Sequence, residues 1–292
     1  MLSRKRKVYA SDIVIILILT LFAVSIMLPF INAISVSFIT EKEYLNNKLT
    51  LIPKEPTLSA YIAIFKQDWV IPGYKNSIIL SFLTWIYSLT INSLAAYAIT
   101  KNFPGKKLVY LYFLIPMFFS GGLIPTYLVI VKLLGLKDTL AALILPAGVS
   151  TFYILIMSYF FREIPSSLAE SAKIDGASEF KIFWRIILPL SKPILATVSL
   201  FIIVTMWNEW FGALLYLTKA KNWPLQLHLR RIINQYAESS METNSQSLVR
   251  QQVYAEGIRM AAVMVTMVPI MIVYPFLQKY FAKGIMIGAV KG

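Results

Sequence analysis

Residues 167–193 read SLAESAKIDGASEFKIFWRIILPLSKP, a mixed polar and apolar segment that lies between two long uncharged stretches of the chain. The segment predicts two short helices. Ser167 and Glu170 have the spacing of a capping box, which would start the first helix. Gly176 stands where that helix should stop, and Ser178 can cap the second one. We therefore expect two helices joined by a bend at the glycine.

The faces of these two helices leave their purpose open. The first helix places Leu168, Ala169 and Ala172 on one side. Small residues there would let the backbone of a partner protein come close. An amphipathic helix on the surface of the protein would show the same pattern. The second helix is expected to end at Pro189, because proline has no backbone N–H and disrupts a helix interior.

The chain around this segment is strongly apolar. Of its 292 residues 58% are hydrophobic and 14% are charged, with a mean hydropathy of +0.67. A soluble domain carries about 25% charged residues, so this composition indicates a membrane protein. Uncharged stretches of the length that crosses a bilayer predict six transmembrane helices. They lie at 13–38, 77–100, 108–131, 140–161, 194–217 and 260–281. The predicted fold class is all-α, since each span must satisfy its own backbone.

The basic residues set the expected topology. They are densest in the short segments 4–7 and 101–107, and positive charge favours the cytoplasmic side. The N-terminus, the C-terminus and the loop at 162–192 are therefore expected in the cytoplasm. The net charge of +14 is explained by this topology, and no basic surface interleaved with aromatic residues suggests nucleic acid. The first span is too long for the core of a signal peptide.

Several kinds of chemistry are excluded by the composition. The chain has no cysteine and a single histidine, His228, so neither a thiolate nor a histidine-rich metal site is expected. His228 is expected on the surface of an extracytoplasmic loop. No phosphate-binding loop is present, and residues 104–107 form only a basic turn. The chain is not expected to be an enzyme, and transport driven by ATP would need a separate ATPase.

Residues 170–177 and 186–189 carry a family resemblance. Glu170-Ser-Ala172, Gly176-Ala177 and Ile186-Ile-Leu-Pro189 resemble the EAA loop of ATP-binding-cassette (ABC) importer permeases. Serine stands here at the first alanine of the usual motif. In that family the loop docks in a cleft of a cytosolic ATPase. The residues that the resemblance assigns to this contact are Leu168, Ala169, Glu170, Ser171, Ala172, Asp175, Gly176, Ala177 and Pro189.

The resemblance extends over nearly the whole chain. Residues 119–127, 134–136, 207–211 and 288–292 are similar to the maltose-type permeases of carbohydrate importers, and the first stretch is most like permeases for oligosaccharides from pectin or alginate. This similarity implies the type I ABC importer permease fold and a place in the bacterial cytoplasmic membrane. The implied partners are a second homologous permease, a homodimeric cytosolic ATPase, an extracytoplasmic sugar-binding protein and the oligosaccharide. ATP and magnesium would bind to the ATPase, and this chain would bind no cofactor.

The same similarity divides the chain into three parts. Residues 1–73 would hold the variable first helix and an extracytoplasmic loop, and 74–282 would form the transporter core. Residues 283–292 would form a cytoplasmic tail that enters the ATPase dimer. A frayed terminus is the alternative for that tail. The tail residues that carry the resemblance are Gly288, Ala289, Val290, Lys291 and Gly292.

The substrate path is predicted from polar residues within the spans. Glu209 is the acid placed well inside a predicted span, where a charge normally faces a cavity or a partner. Asn208 precedes it, and Trp207 and Trp210 flank the pair. Aromatic faces and hydrogen-bonding groups suit sugars. A belt of interfacial tryptophans, with Glu209 bonded to a neighbouring helix, is the alternative. Weaker candidates, which could equally bond one helix to another, are Asn76, Asn92 and Tyr153.

The basic loop at 216–259 could receive the binding protein, and its charge would suit uronic-acid oligosaccharides. Two other classes of protein remain. A secondary transporter would show inverted repeats and several intramembrane ionisable groups. A structural assembly subunit would leave the Glu170 loop without a purpose.

Overall fold

The computed structural model describes residues 10–47, 49–239, 255–273 and 275. Most of these residues are helical, and none of them lies in a strand. The α-helices are α1 (Ala10–Phe38), α2 (Glu41–Asn46), α3 (Ser59–Phe65), α4 (Val70–Thr100), α5 (Lys106–Phe118), α6 (Leu123–Leu128), α7 (Ala141–Ile144), α8 (Thr151–Arg162), α9 (Ser166–Ile174), α10 (Glu179–Ile182), α11 (Leu188–Leu190), α12 (Lys192–Trp207), α13 (Phe211–Tyr216), α14 (Leu225–Ser239) and α15 (Ala255–Val273). The all-α fold class is confirmed.

The membrane spans are of two kinds. Helices α1, α4 and α15 are each long and apolar enough to cross a bilayer alone. Three further spans arise only if bent pairs of helices are counted together, which gives up to six spans in the described part of the chain. The first pair is α5 with α6, bent by 111°. The second joins Ala141–Gly148, which begins with α7, to α8 at 43°, and the third joins α10–α11 to α12 at 82°.

The break in the third predicted span has a backbone cause. The expectation of one helix over 108–131 is wrong, because the chain leaves the helix after Phe118 and resumes it at Leu123. Gly122 lies there at φ +85° and ψ 165°, a conformation that only glycine adopts without strain. A hydropathy pattern reports only how apolar the side chains are, so it does not indicate this turn of the backbone.

The fifth predicted span is also interrupted. Helix α12 ends at Trp207, and α13 begins only at Phe211. Asn208 bonds back to the carbonyl of Val204, and the carboxylate of Glu209 accepts the N–H of Gly212 at 2.6 Å. Short polar side chains that bond to nearby backbone compete in this way with helix continuation. The single helix expected over 194–217 is therefore wrong.

The larger of two compact units contains the described residues within 68–230 and 266–275. Its central element is α4, which packs against α8 and α12. At 31 residues α4 is about 46 Å long at 1.5 Å per residue. The side of α4 that is buried carries small residues about one turn apart, which lets neighbouring helices approach closely. They include Gly73, Ser77, Ser81, Thr84, Ser88 and Ala96.

The second unit contains the described residues within 10–67 and 231–265. Helix α1 contacts α3 near its C-terminal end, where the Ser37 hydroxyl lies 2.7 Å from the hydroxyl of Tyr61. From Ser11 to Pro29 every side chain of α1 is exposed. Helix α1 therefore presents a long apolar surface that the described residues of its own unit do not cover.

Candidate functional site

Helix α9 begins two residues earlier than the sequence suggests. Its first residue is Ser166, and Pro165 takes the N-cap position without a side-chain hydrogen bond. The capping box predicted at Ser167 and Glu170 is therefore wrong. Proline fixes φ near the helical value, so it can precede the first turn without a polar cap. Glu170 is then free of a capping role and lies exposed on the helix.

The bend after α9 is a Schellman motif. Gly176 has φ +76° and donates to the carbonyl of Lys173 at 3.0 Å, while Ala177 donates to the carbonyl of Ala172 at 2.9 Å. The bend predicted at this glycine is present. The predicted cap of the following helix is confirmed, because the hydroxyl of Ser178 accepts the N–H of Lys181.

The small and large side chains of α9 lie on different faces from those that the sequence predicts. Ala169, Ala172 and Ala177 are half-buried against the core of their own chain. The exposed surface of α9 carries instead two large apolar side chains, Leu168 and Ile174, of which Ile174 is 87% exposed. The exposed charged and polar residues of this segment include Glu170, Ser171 and Asp175. The small residues thus seat the helix, and the larger ones face outward.

Pro189 does not end the second helix of the loop. A wide π turn over Phe183–Ile187 follows α10, and the chain continues through α11 to Leu190. Pro189 lies in the first turn of α11, where a missing N–H is tolerated. The 82° bend into α12 comes after Leu190, at Ser191. The expectation that Pro189 ends the second helix is therefore wrong.

The break between α12 and α13 gathers polar and aromatic side chains. Asn208 is exposed, and its side-chain oxygen accepts a hydrogen bond from Gln226 at 3.2 Å. The guanidinium of Arg230 lies 4.4 Å above the ring of Trp210. Glu209 lies between Asn208 and Trp210 in the chain, and its carboxylate accepts the N–H of Gly212 in the first turn of α13. We call these five residues, Asn208, Glu209, Trp210, Gln226 and Arg230, the break cluster.

The sequence did not indicate Gln226 or Arg230 as residues of the substrate path. Both belong to α14, which the hydropathy pattern placed in a loop outside the membrane. The signal that could have found them is their spacing of four residues, which places two side chains on one face of a helix. Nothing in the sequence shows that this face meets the end of α12, because that contact is tertiary.

Trp207 serves as the anchor behind the break cluster. It is 6% exposed, and its ring nitrogen donates to the carbonyl of Thr266 at 3.0 Å. Its ring also packs against Tyr74 at 6.3 Å between centroids. Trp207 thus ties α12 to α4 and α15, so the chain leaves the helix at a fixed point.

The weaker candidates lie apart from the break cluster. Asn76 donates to the carbonyls of Lys221 and Trp223. Asn92 is fully buried, donates to the carbonyl of Gly148 at 2.7 Å and accepts the N–H of Ser150 at 2.8 Å. Both side chains thus bond to the backbone of other segments, as expected if they hold helices together rather than line the path.

Tyr153 joins two helices as well. Its ring stacks on Phe201 of α12 at 6.4 Å between centroids. Tyr153 therefore connects α8 to α12. The predicted path residues that lie together are Asn208, Glu209 and Trp210, with Trp207 behind them.

His228 is not a surface residue. It is 5% exposed on α14, and its ring lies 5.0 Å from Trp69 and 5.3 Å from Trp223. The surface position expected for His228 is wrong, because the amphipathic helix α14 turns this side chain inward. The tail residues 288–292 lie outside the described residues. Among the residues that the structure describes, no group of three or more His, Cys, Asp or Glu could hold a metal ion.

Comparison with known proteins identifies the family. The model of the family described as "Binding-protein-dependent transport system inner membrane component" matches residues 10–287. The chain belongs to this family, and it is a permease component of an ABC importer and not its ATPase.

Two proteins of Bacillus subtilis are similar over almost the full length. The polygalacturonan/rhamnogalacturonan transport system permease protein YtcP is 42% identical, and the alignment covers 96% of this chain and 98% of that protein. Protein LplC is also 42% identical, over 91% of this chain and 90% of its own length. A solved structure of a bacterial ABC transporter involved in the import of the acidic polysaccharide alginate matches with a TM-score of 0.84. It is 27% identical and covers 95% of this chain and 100% of that chain.

Proposed function

We propose that this protein is one of two permease subunits of an ATP-driven importer that carries oligosaccharides derived from acidic polysaccharides. The observation that carries the proposal is the α9–Gly176–α10 segment, whose sequence resembles the ATPase-docking loop of the family and whose first helix is exposed. The chain's family membership and the names of its full-length relatives support the same conclusion.

The outward surface of α9 would meet the ATPase. Leu168 and Ile174 offer apolar area, and Glu170 offers a carboxylate for a basic residue of the partner. A few buried contacts usually dominate the affinity of such an interface. The inward alanines would hold α9 against its own chain, so that closure of the ATPase dimer pulls on the permease. ATP and magnesium would bind to the ATPase alone.

The break cluster would contact the sugar on its way. A sugar ring can stack on Trp210, and the amides of Asn208 and Gln226 offer both donors and acceptors for hydroxyl groups. Arg230 adds a cation beside the same ring. Arginine binds carboxylates through two parallel hydrogen bonds, which suits a uronic acid.

The importer would need several partners. We expect a second homologous permease, a homodimeric cytosolic ATPase and an extracytoplasmic sugar-binding protein, with both chain termini in the cytoplasm. The exposed surface of α1 would face lipid or the second permease. The tail at 288–292 would contact the ATPase dimer. The complex would lie in the bacterial cytoplasmic membrane as a multi-pass assembly.

Purification through a tag on this chain tests the assembly. The chain is coexpressed with the products of its neighbouring genes and reconstituted in liposomes. We expect an ATPase to co-elute, and we expect binding protein with oligogalacturonate to raise ATP hydrolysis more than binding protein with a neutral oligosaccharide of equal length. A chain that purifies alone and moves sugar down an ion gradient would instead be a secondary transporter.

Matched variants test the two sites. Glu170→Ala should weaken ATPase binding by about tenfold, which corresponds to the loss of one contact of about 1.4 kcal/mol. Glu163→Ala, at an exposed acid of the same loop, should leave binding unchanged. Trp210→Ala should lower substrate-stimulated hydrolysis, whereas Tyr159→Ala, at an exposed aromatic of α8, should not. Equal effects within either pair would contradict the assignment of that site.

A further inference from the structure

Glu179 connects three elements through its two carboxylate oxygens. One oxygen lies 2.5 Å from the ammonium group of Lys173, in the last turn of α9. The other lies 3.0 Å from the ammonium group of Lys101 and accepts the hydroxyl of Tyr97 at 2.7 Å. Tyr97 belongs to the last turn of α4, and Lys101 is its C-cap. One side chain at the start of α10 therefore joins α9 to the end of α4.

The contacts reinforce one another. The ammonium group of Lys101 also lies 4.3 Å above the ring of Tyr97. Hydrogen bonds from Lys173, Tyr97 and Lys101 lower the pKa of Glu179 to about 2, so the carboxylate stays ionised at every physiological pH. Glu179 also stands at the first position of α10, where the helix dipole favours a negative charge.

This network contributes little to folding stability. The side chain of Glu179 is 49% exposed, and those of Lys173 and Lys101 are 53% and 33% exposed. Ion pairs in such contact with solvent contribute about 0–1 kcal/mol each. What the network does specify is geometry, because a carboxylate that bonds two separate cations and a hydroxyl fixes their relative positions.

We propose that Glu179 is the positioning residue that transmits movement of α9 to α4. The proposal rests on the proposed function, in which the ATPase pulls on α9. Helix α4 packs against α8 and α12, and α12 ends at the break cluster. A displacement of α9 would reach the end of α4 through Glu179, and the packed face of α4 would carry it to the helices around the substrate path.

The link is tested first in this chain alone. Because the chain has no cysteine, spin labels can be placed at Ser167→Cys on α9 and Asn102→Cys after α4 without further changes. In the full chain in lipid nanodiscs we expect a narrow distance distribution, which becomes about twofold broader with Glu179→Gln. Lys181→Gln, at an exposed lysine of α10, should leave the width unchanged. Equal widths in all three proteins would overturn the proposal.

The second test measures coupling in the complete transporter. Glu179→Gln should retain ATPase co-elution and basal hydrolysis but should lower sugar transported per ATP by about fivefold, the lower end of what coupling between two sites contributes. Glu179→Asp, which keeps a carboxylate, should retain part of the wild-type ratio of sugar transported to ATP hydrolysed. The charge-inverted variant with Lys101→Glu, Lys173→Glu and Glu179→Lys should recover it in part, which a mere loss of folding would not allow.

The outcomes separate the two proposals. If the wild-type chain fails to bind an ATPase, the proposed function falls, and the distance widths alone decide whether Glu179 links α9 to α4. If the ATPase binds and the transport ratio of Glu179→Gln equals that of the wild type, the positioning role of Glu179 is overturned while the importer assignment stands.

Discussion

Asn92 shows how one side chain can hold a bent span together. Its amide bonds both sides of the bend before α8, at the carbonyl of Gly148 and the N–H of Ser150, and no part of it is exposed. Asn92→Ala should therefore destabilise the protein by about 1–3 kcal/mol, the cost of leaving buried polar groups without partners. The thermal unfolding midpoint in detergent measures this loss.

The control for Asn92 is another asparagine at an exposed position. Asn102 is exposed, and the contact described for its side chain is a hydrogen bond that it accepts from Lys106. Asn102→Ala should change stability by less than about 0.5 kcal/mol. If the two alanine variants unfold at the same temperature, the buried amide does not hold the bend.

Asp138 fastens one interhelical turn to another. It has φ +61°, and its carboxylate accepts the Thr218 hydroxyl and the N–H groups of Thr218 and Lys219. These hydrogen bonds, that of the hydroxyl first, lower the pKa of Asp138 below its usual 3.8. A carboxylate with a lowered pKa stabilises the folded state above its ordinary pKa, and this contribution is lost as the pH falls through the lowered value.

Asp138→Asn isolates that contribution, since asparagine also tolerates positive φ. We expect a modest fall in the unfolding midpoint at pH 7, because Asp138 is only half-buried and solvent screens its carboxylate. The gap to the wild type should close below pH 3.8. Asp68→Asn, at an exposed aspartate of the same unit, serves as the control. A gap that stays constant from pH 7 to pH 3 would contradict the role of the carboxylate.

At this scale the sequence identified residues better than it identified their contacts. Asn208, Glu209 and Trp210 were predicted together and lie together, since they are neighbours in the chain. Arg230 and Gln226 were missed because their meeting with α12 depends on how α14 packs. His228 was misplaced for the same reason, as an amphipathic helix can turn a polar ring inward.

At the scale of elements, Gly176 decides the direction in which α9 leaves the core. A Cβ at this glycine would meet no atom within 4 Å, but its φ of +76° disfavours any other residue. Gly176→Ala should cost about 1–2 kcal/mol of strain or redirect α9. We expect weaker ATPase co-elution with normal membrane insertion. Gly121→Ala, in equally open space but without a positive φ, is the matched control. Equal co-elution of the two variants would contradict this reasoning.

The elements show where sequence patterns stop being informative. The two helices of the 162–192 loop and their bend follow from local signals at Gly176 and Ser178. Apolar runs predicted the spans because hydropathy follows composition. The breaks inside those spans, at Gly122 and at Asn208, escaped prediction. They depend on backbone conformation and on local hydrogen bonds, which an apolar average does not record.

For the whole molecule, the absence of cysteine makes the proposed topology directly measurable. Ser166→Cys, at the start of α9, should react with a membrane-impermeant maleimide only after the cytoplasmic side is opened. Lys137→Cys, in the exposed turn before α7, should react in intact cells. Labelling of both positions from the same side would contradict the proposed orientation. The wild-type chain is the control for background labelling.

The length of α4 carries a consequence for the choice of lipid. At about 46 Å it exceeds the hydrocarbon thickness of about 30 Å in a typical bilayer, so α4 has to tilt or project from it. A thinner or thicker bilayer changes how far α4 tilts or projects, at a cost of fractions of a kcal/mol per ångström of mismatch. A change of acyl-chain length would thus move the end of α4 that Glu179 joins to α9. Membrane thickness would become a regulator of the rate at which the transporter turns over.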